Sequence, residues 1–143
     1  MKLVIISGLS GSGKSVALHT LEDEEYYCVD NLPIGLLPQF IERILSRRVQ
    51  LYDMIAVGID ARSDSEDLRD FNTIIEWIQQ RDKQTEIEIE IIYMQAELDT
   101  LIKRFSDTRR KHPLTKKGLP LSEAIEVERS LLKEVATAAN LYI

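Results

Sequence analysis

The sequence has a single cysteine and two histidines, and it contains no long hydrophobic run. One cysteine excludes a disulfide within the chain, and so few cysteines and histidines exclude a zinc site built from clusters of them. The longest apolar stretches, such as 3–6 and 54–59, are far shorter than the roughly 20 residues that cross a bilayer. The apolar residues after Lys2 are also too few to form the core of a signal peptide. We therefore expect neither a membrane span nor export, and a reducing cytoplasm is the location that fits best.

Basic residues are outnumbered, because 18 lysines and arginines face 24 aspartates and glutamates, which leaves a formal net charge of -6. This balance argues against a general binder of nucleic-acid backbones, since such binding depends on many Lys and Arg contacts. The exception is a basic stretch within 103–117, a segment that could meet a polyanion locally. Its members are Lys103, Arg104, Arg109, Arg110, Lys111, Lys116 and Lys117.

Thinly spread glycine and proline, with 44% hydrophobic residues, indicate a globular protein, and 143 residues predict one domain over 1–143. Short apolar runs alternate with segments of helical spacing, in which we expect Phe71, Trp77 and Ile78 to be core residues. We expect strands at 2–7, 26–29, 54–59, 87–94 and 141–143, and helices at 14–24, 33–48, 68–78, 96–110 and 122–139, the last capped by Ser122. The alternation predicts an α/β fold, with a parallel β-sheet sandwiched by helices and ligands at the carboxyl ends of the strands.

A glycine-rich motif lies between the first strand and the first helix. It matches the pattern G-x-x-x-x-G-K-[ST] with Gly8, Leu9, Ser10, Gly11, Ser12, Gly13, Lys14 and Ser15. Glycines let successive N–H groups point at phosphate oxygens, and the helix adds the positive end of its dipole. Lys14 would reach the β- and γ-phosphates, and Ser15 would bind Mg²⁺. A glycine-rich turn without a ligand is the alternative, but the strand–helix context favours phosphate binding and a P-loop NTPase or kinase-like fold.

Two carboxylates follow predicted strands and are candidates for catalytic work. Asp60 is the first candidate for the residue that orients Mg²⁺ through water. Asp30 is a rival that is better suited to a substrate group or an attacking water. For either residue, the alternative is a structural role in a turn.

Three arginines at the end of a predicted helix resemble a lid. Arg104, Arg109 and Arg110 could close on a transferring phosphoryl group, whose charge guanidinium groups stabilise. From spacing alone, solvated surface residues are the better interpretation.

Several segments together resemble the RapZ/YvcJ family of bacterial nucleotide-binding proteins: VIISGLSGSGKSVAL at 4–18, YYCVDNLP at 26–33 and RFSDTRRKHPL at 104–114. The resemblance covers essentially the whole chain, but members of that family are about twice as long. It therefore implies that residues 1–143 correspond to an N-terminal P-loop nucleotide-binding domain.

The family resemblance implies binding of ATP and GTP with weak hydrolysis, the ATP site being the glycine-rich loop. It implies a second nucleotide-contacting segment at Asp60, Ala61, Arg62 and Ser63, which matches the family's Asp-x-Arg-Asn except at Ser63. Gln95 stands where the family has an acid, which shifts the metal-orienting role towards Asp60 or Asp30. The match at 108–110 and His112 favours the lid interpretation of the arginines.

The resemblance further implies a regulatory RNase adapter that presents a small RNA to a ribonuclease and thereby controls glucosamine-6-phosphate synthase. RNA binding in that family belongs mainly to the C-terminal half, and a homo-oligomer is left open. The competing hypothesis is a small-molecule kinase with Asp30 as general base. A third is a structural domain in which Lys14 and Ser15 are idle.

Overall fold

Strands and helices alternate along the chain, as the sequence predicts. The computed structural model describes residues 1–46, 53–80, 87–108, 112, 114, 118 and 120–143. The strands are β1 (Lys2–Gly8), β2 (Tyr27–Val29), β3 (Met54–Gly58), β4 (Glu88–Met94) and β5 (Leu141–Tyr142). The helices are α1 (Lys14–Asp23), α2 (Leu37–Leu45), α3 (Ser65–Arg69), α4 (Phe71–Gln80), α5 (Leu98–Thr108), α6 (Leu121–Leu131) and α7 (Lys133–Ala138). No helix in these ranges has both the length and the apolar character that a membrane crossing requires.

The five strands form one parallel sheet in the order β2-β3-β1-β4-β5. The first strand of the chain is therefore the central one, paired with β3 on one side and with β4 on the other. Because all strands run the same way, their carboxyl ends share one edge of the sheet. The α/β fold predicted from the sequence is confirmed, and this edge is where such sheets bind ligands.

The sheet is covered on both faces, as a parallel sheet requires. Along β1, Leu3 and Ile5 belong to a large apolar cluster with residues of α2, α4 and α7. The alternate residues Val4 and Ile6 pack on the opposite face with Leu18 of α1. This two-sided burial explains why β1 reads as a continuous apolar run.

Two predicted helices are broken in the structure. The helix expected at 122–139 is divided at Leu132, because α6 and α7 serve different clusters: Ile125 packs with Leu9 and Leu101, whereas Val135 packs on the sheet. Its N-cap is Pro120, so the expectation for Ser122 is wrong. The predicted helix at 68–78 is likewise divided, at Asp70, and α3 begins after Asp64, whose side chain accepts from Glu66 N at 2.9 Å.

Other helix boundaries also shift. The helix expected at 33–48 opens with a 3-10 turn at Ile34–Leu36, and residues 47 and 48 lie outside the described residues. The helix α5 begins two residues later than expected. Trp77 is 46% exposed, so the prediction that it is a core residue is wrong, whereas Phe71 and Ile78 are fully buried. Helical spacing alone put Trp77 beside these residues, but the α4 face that packs on the sheet does not include it.

Candidate phosphate-binding site

The loop that joins β1 to α1 lies at the carboxyl edge of the sheet and takes backbone conformations that favour glycine. Gly8, Gly11 and Gly13 have positive φ angles of 143°, 84° and 105°. At Gly8 there is also no room for a side chain, since a Cβ atom would lie 2.2 Å from the carbonyl oxygen of Met94 on β4. The loop closes on itself where Ser12 N donates to the Leu9 carbonyl at 3.0 Å. The glycines of the motif are thus needed by the local backbone and by its close approach to β4.

The helix that follows the loop presents a bare N-terminus. Its N-cap is Gly13, which offers no capping side chain, and its first turn contains no acidic residue. The first N–H groups of a helix have no partner within the helix, and they carry the positive end of its dipole. This end of α1 therefore favours an anion.

Lys14 is held against the loop itself. Its Nζ donates to the Gly8 carbonyl at 2.7 Å. Burial lowers the pKa of Lys14, while the negative charges of Glu128, Asp60 and Asp30 act in the opposite direction. The Ser12 hydroxyl is buried in the same loop, without a hydrogen-bond partner among the described residues. A partly desolvated cation and an unpaired hydroxyl in one glycine-rich loop fit the oxygens of a phosphate.

Asp60, just beyond the end of β3, is engaged by an arginine. Arg62 donates to its carboxylate from the backbone N at 2.8 Å, from Nε at 3.1 Å and from Nη2 at 2.6 Å. The same Nη2 donates to Asn31 Oδ1. Burial alone would raise the pKa of Asp60, but the hydrogen bonds and charge of Arg62, with the charge of Lys14, lower it overall. The structure thus places Asp60 near Lys14 as a carboxylate whose two oxygens face Arg62.

A small cleft adjoins this ion pair. Its volume is about 210 Å³, and its lining residues are Asn31, Pro33, Asp60, Arg62 and Ser63. The Ser63 hydroxyl accepts from Ile34 N at 3.2 Å, so it ties the 60–63 segment to the segment after β2. Ala61 is buried, and Asp30 is exposed, its Oδ1 accepting from Asn31 N at 2.8 Å. The cleft therefore brings Asp60, Arg62 and Ser63 together with the segment after β2, whereas Asp30 and Ala61 are not among its lining residues.

The helix α5 lies on the glycine-rich loop. Arg104 Nη1 donates to the Gly11 carbonyl at 2.6 Å. The Phe105 side chain lies against the loop here, since a Cβ atom on Gly11 would be 3.4 Å from the Phe105 ring. Arg104 is thus brought to the loop, whereas the predicted partners Arg109 and Arg110 lie outside the described residues.

Sequence reasoning missed Glu128 on α6. This residue is fully buried, and its carboxylate accepts from Ser10 N at 2.7 Å and from Ser10 Oγ at 2.5 Å. It also contacts His112 Nε2 at 3.1 Å. A signal was present, because Glu128 follows Ile125 and precedes Leu132 at helical spacing, which puts an acid on an apolar stripe.

A parallel sheet of this order, with a glycine-rich loop between its central strand and the next helix, defines the P-loop NTPase and kinase-like class. The chain belongs to the family described as the RapZ-like N-terminal domain, which it matches over residues 1–143. It is 52% identical over 141 residues to a nucleotide-binding protein of Thioalkalivibrio sulfidiphilus, an alignment that covers 99% of this chain and 48% of the relative. The chain thus spans about half the length of such curated relatives.

Solved structures of low sequence identity share the fold. The YorR protein of Bacillus subtilis, solved in complex with phosphorylated GDP, superimposes with a TM-score of 0.57 at 16% identity, covering 99% of this chain and 83% of that one. The shikimate kinase of Acinetobacter baumannii, solved with shikimate, gives 0.50 at 16% identity, covering 99% and 82%. These similarities establish the architecture alone.

Proposed function

We propose that the chain binds a magnesium-complexed nucleoside triphosphate, ATP or GTP, in the loop from Gly8 to Ser15. The observation that carries this proposal is a glycine-rich loop that holds both the partly desolvated ammonium of Lys14 and the buried hydroxyl of Ser12, which has no hydrogen-bond partner in the described part of the chain. A partly desolvated cation and a buried hydroxyl that lacks a hydrogen bond are both unfavourable, and a phosphate group would pair with each of them. The nucleotide-binding relatives and the phosphorylated GDP in the YorR protein support the same chemistry.

Two residues of the loop and a nearby carboxylate have direct roles in this proposal. Lys14 would leave the Gly8 carbonyl and pair with the β- and γ-phosphates. Ser15, which is exposed next to the loop, would be the protein ligand of Mg²⁺, and Asp60 or Asp30 would orient a water on it. The described residues contain no group of three or more His, Cys, Asp or Glu side chains that could hold a metal alone. The proposal therefore needs phosphate oxygens to complete the magnesium site.

We expect hydrolysis to be weak and the role of the domain to be regulatory. Both oxygens of Asp60 accept from Arg62, so this carboxylate is poorly placed to activate a water. In the whole protein, the family resemblance supports an RNase adapter that presents a small RNA to a ribonuclease. The net charge of -6 on this half fits an RNA contact that lies mainly elsewhere.

A small-molecule kinase is the second candidate function. The cleft of about 210 Å³ beside Asp60 favours it, because an acceptor seated there would lie next to the loop. Asp30 would then act as the general base and Arg62 would hold an anionic group of the acceptor.

Product analysis separates the two functions. With Mg-ATP alone, the adapter proposal predicts slow release of inorganic phosphate that a hydroxylated acid such as shikimate leaves unchanged. The kinase proposal predicts consumption of ATP upon addition of an acceptor, with the phosphate on the acceptor and little free phosphate. Acceptor-dependent consumption would overturn the adapter role.

Binding of fluorescent ATP and GTP analogues tests the proposed site itself. Lys14→Met keeps the length of the side chain but removes its charge, and we expect affinity to fall by about a hundredfold or more. Lys2→Met is the matched control, because Lys2 lies at the opposite end of β1 in a partly exposed pair with Glu90 at 3.5 Å. Equal affinity of Lys14→Met and Lys2→Met would contradict the proposed site.

A further inference from the structure

The first half of the glycine-rich loop is held from outside by a single buried carboxylate. Glu128 on α6 accepts from both donors of Ser10, its backbone N at 2.7 Å and its hydroxyl at 2.5 Å. Ser10 stands between Leu9, which is buried, and Gly11, whose φ is positive. Two hydrogen bonds to a charged group thus hold Ser10 in place, next to a glycine whose backbone is conformationally free.

The other side of Glu128 faces His112. Leu114 N donates to His112 Nδ1 at 3.0 Å, so the ring proton lies on Nε2, which donates to Glu128 at 3.1 Å. The His112 ring also packs against Phe105 of α5, with ring centroids 5.4 Å apart. One carboxylate therefore joins Ser10 in the loop to His112.

The position is demanding, because a buried carboxylate is unfavourable unless its hydrogen bonds are satisfied. Burial alone would raise the pKa of Glu128, but the hydrogen bonds from His112 and Ser10 outweigh it and lower the pKa overall. Three hydrogen-bond donors, Ser10 N, Ser10 Oγ and His112 Nε2, thus satisfy one fully buried carboxylate. Loss of these three hydrogen bonds would remove the contact that holds both donors of Ser10.

We propose that Glu128 is a positioning residue for nucleotide binding: it holds Ser10 so that the loop keeps the shape that receives phosphate, and it links the loop to His112. The inference rests on the proposed function, since it concerns how well the loop binds a nucleotide.

Three variants of Glu128 separate geometry from charge. In Glu128→Gln, the amide oxygen can accept from Ser10 N and His112, while the amide nitrogen can donate to Ser10 Oγ. Glu128→Asp keeps the charge but is one methylene too short to reach both partners. Glu128→Ala removes every contact. The control is Glu126→Ala on the same helix, where the side chain is 58% exposed.

The measurement is the affinity for a fluorescent ATP analogue with magnesium, at a temperature below the unfolding midpoint of each variant. We expect Glu128→Gln to bind within about threefold of wild type, and Glu128→Asp and Glu128→Ala to bind about tenfold more weakly or worse. A merely structural role would lower the unfolding midpoint without this order of affinities. If Glu128→Ala does not fold, the affinities of Glu128→Gln and Glu128→Asp for the ATP analogue are compared instead, and equal affinities would contradict the proposal.

The link to His112 has its own signature in the amide proton resonance of Ser10. His112→Ala should shift this resonance, and His112→Gln, which restores a donor, should shift it less. Two outcomes would overturn this inference and leave the proposed function intact. One is that Glu128→Asp and Glu128→Ala both bind the nucleotide as tightly as wild type does. The other is that the Ser10 amide resonance does not shift when His112 is replaced. Absence of binding by wild type would instead remove the proposed function, and this inference with it.

Discussion

The guanidinium of Arg104 donates to the carbonyl of Gly11 at 2.6 Å, and this bond connects α5 to the glycine-rich loop. The donor comes from α5 and the acceptor from the loop after β1, so the contact joins two residues that are 93 positions apart in the sequence. A cation at this point adds to the positive end of α1 and to Lys14. Arg104 is therefore placed at the loop to which we expect a phosphate to bind.

Arg104→Ala should shorten the residence time of a bound nucleotide. We expect its dissociation rate to rise about threefold to tenfold, because one partly exposed charged contact near the phosphates is lost. Stopped-flow displacement of a fluorescent ATP analogue measures this rate, with Lys103→Ala on the same helix as the control. An unchanged dissociation rate would mean that Arg104 serves the loop structurally and does not meet the nucleotide.

Gly8→Ala should destabilise the fold. Its φ of 143° and the approach of the Met94 carbonyl to 2.2 Å from the new Cβ both oppose a side chain. Strain of this kind amounts to about 1–3 kcal/mol, plus whatever backbone shift the clash forces. Gly118→Ala is the matched control, because Gly118 has a φ of 83° and open space around it. If urea unfolding gives equal losses of unfolding free energy for Gly8→Ala and Gly118→Ala, the close approach of Gly8 to β4 is unimportant for stability.

Lys14→Met should stabilise the chain in the absence of nucleotide. The pKa of Lys14 is lowered by burial, so its charged form is less favourable in the folded chain than in the unfolded one. That penalty is fully present below the folded pKa and fades as the pH rises towards the ordinary value of 10.5. The gain in unfolding free energy should therefore be larger at pH 7 than near pH 10.

The order of stabilities should reverse when nucleotide is added. At a ligand concentration of 100 times the wild-type dissociation constant, wild type gains about 2.7 kcal/mol, whereas Lys14→Met, with an affinity about a hundredfold lower, gains only about 0.4 kcal/mol. Denaturant titrations with and without Mg-ATP give both comparisons. A destabilised Lys14→Met without ligand would indicate that its bond to Gly8 outweighs the penalty of burial.

Arg62→Gln should make the free energy of unfolding less dependent on pH in the acidic range. The pKa of Asp60 is lowered by Arg62, so their interaction stabilises the fold above the ordinary aspartate value of 3.8 and is lost as the pH falls through the folded pKa. We expect a loss of about 1 kcal/mol at pH 7, discounted for the 55% exposure of the Arg62 side chain, and a difference from wild type that narrows below pH 3.8.

The control for Arg62 is Arg129→Gln, which breaks an exposed pair with Glu126 at 3.4 Å. Such a pair contributes little at any pH. Chemical unfolding over a series of pH values distinguishes the two variants. A loss for Arg62→Gln that stays constant into acid would refute the role of Asp60 in this dependence.

The β1–loop–α1 unit could be predicted from sequence because its determinants are local. An apolar run, a spaced set of glycines and a Lys-Ser pair at a helix start each report on neighbouring residues. The parallel sheet followed from the regular alternation of such units. Asp30 and the segment 60–63 were identified as separate candidates, but the cleft between 60–63 and the segment after β2 depends on which strands are neighbours.

Contacts between distant residues could not be predicted in this way. Glu128 meets Ser10 across 118 positions, and a single acid within a helical pattern does not reveal its partner. The exposure of Trp77 and the break at Leu132 depend on which neighbouring cluster each helix face meets, a property of the assembled layers. Propensity and spacing therefore described the elements well and their interactions poorly.

Isothermal titration calorimetry of the intact chain with ATP and with GTP, each in the presence of magnesium, tests the central claim most directly. The account predicts a saturable heat of association with at least one of the two nucleotides, and its loss in Lys14→Met. No heat at millimolar concentrations of either nucleotide, from a chain that is folded, would contradict it.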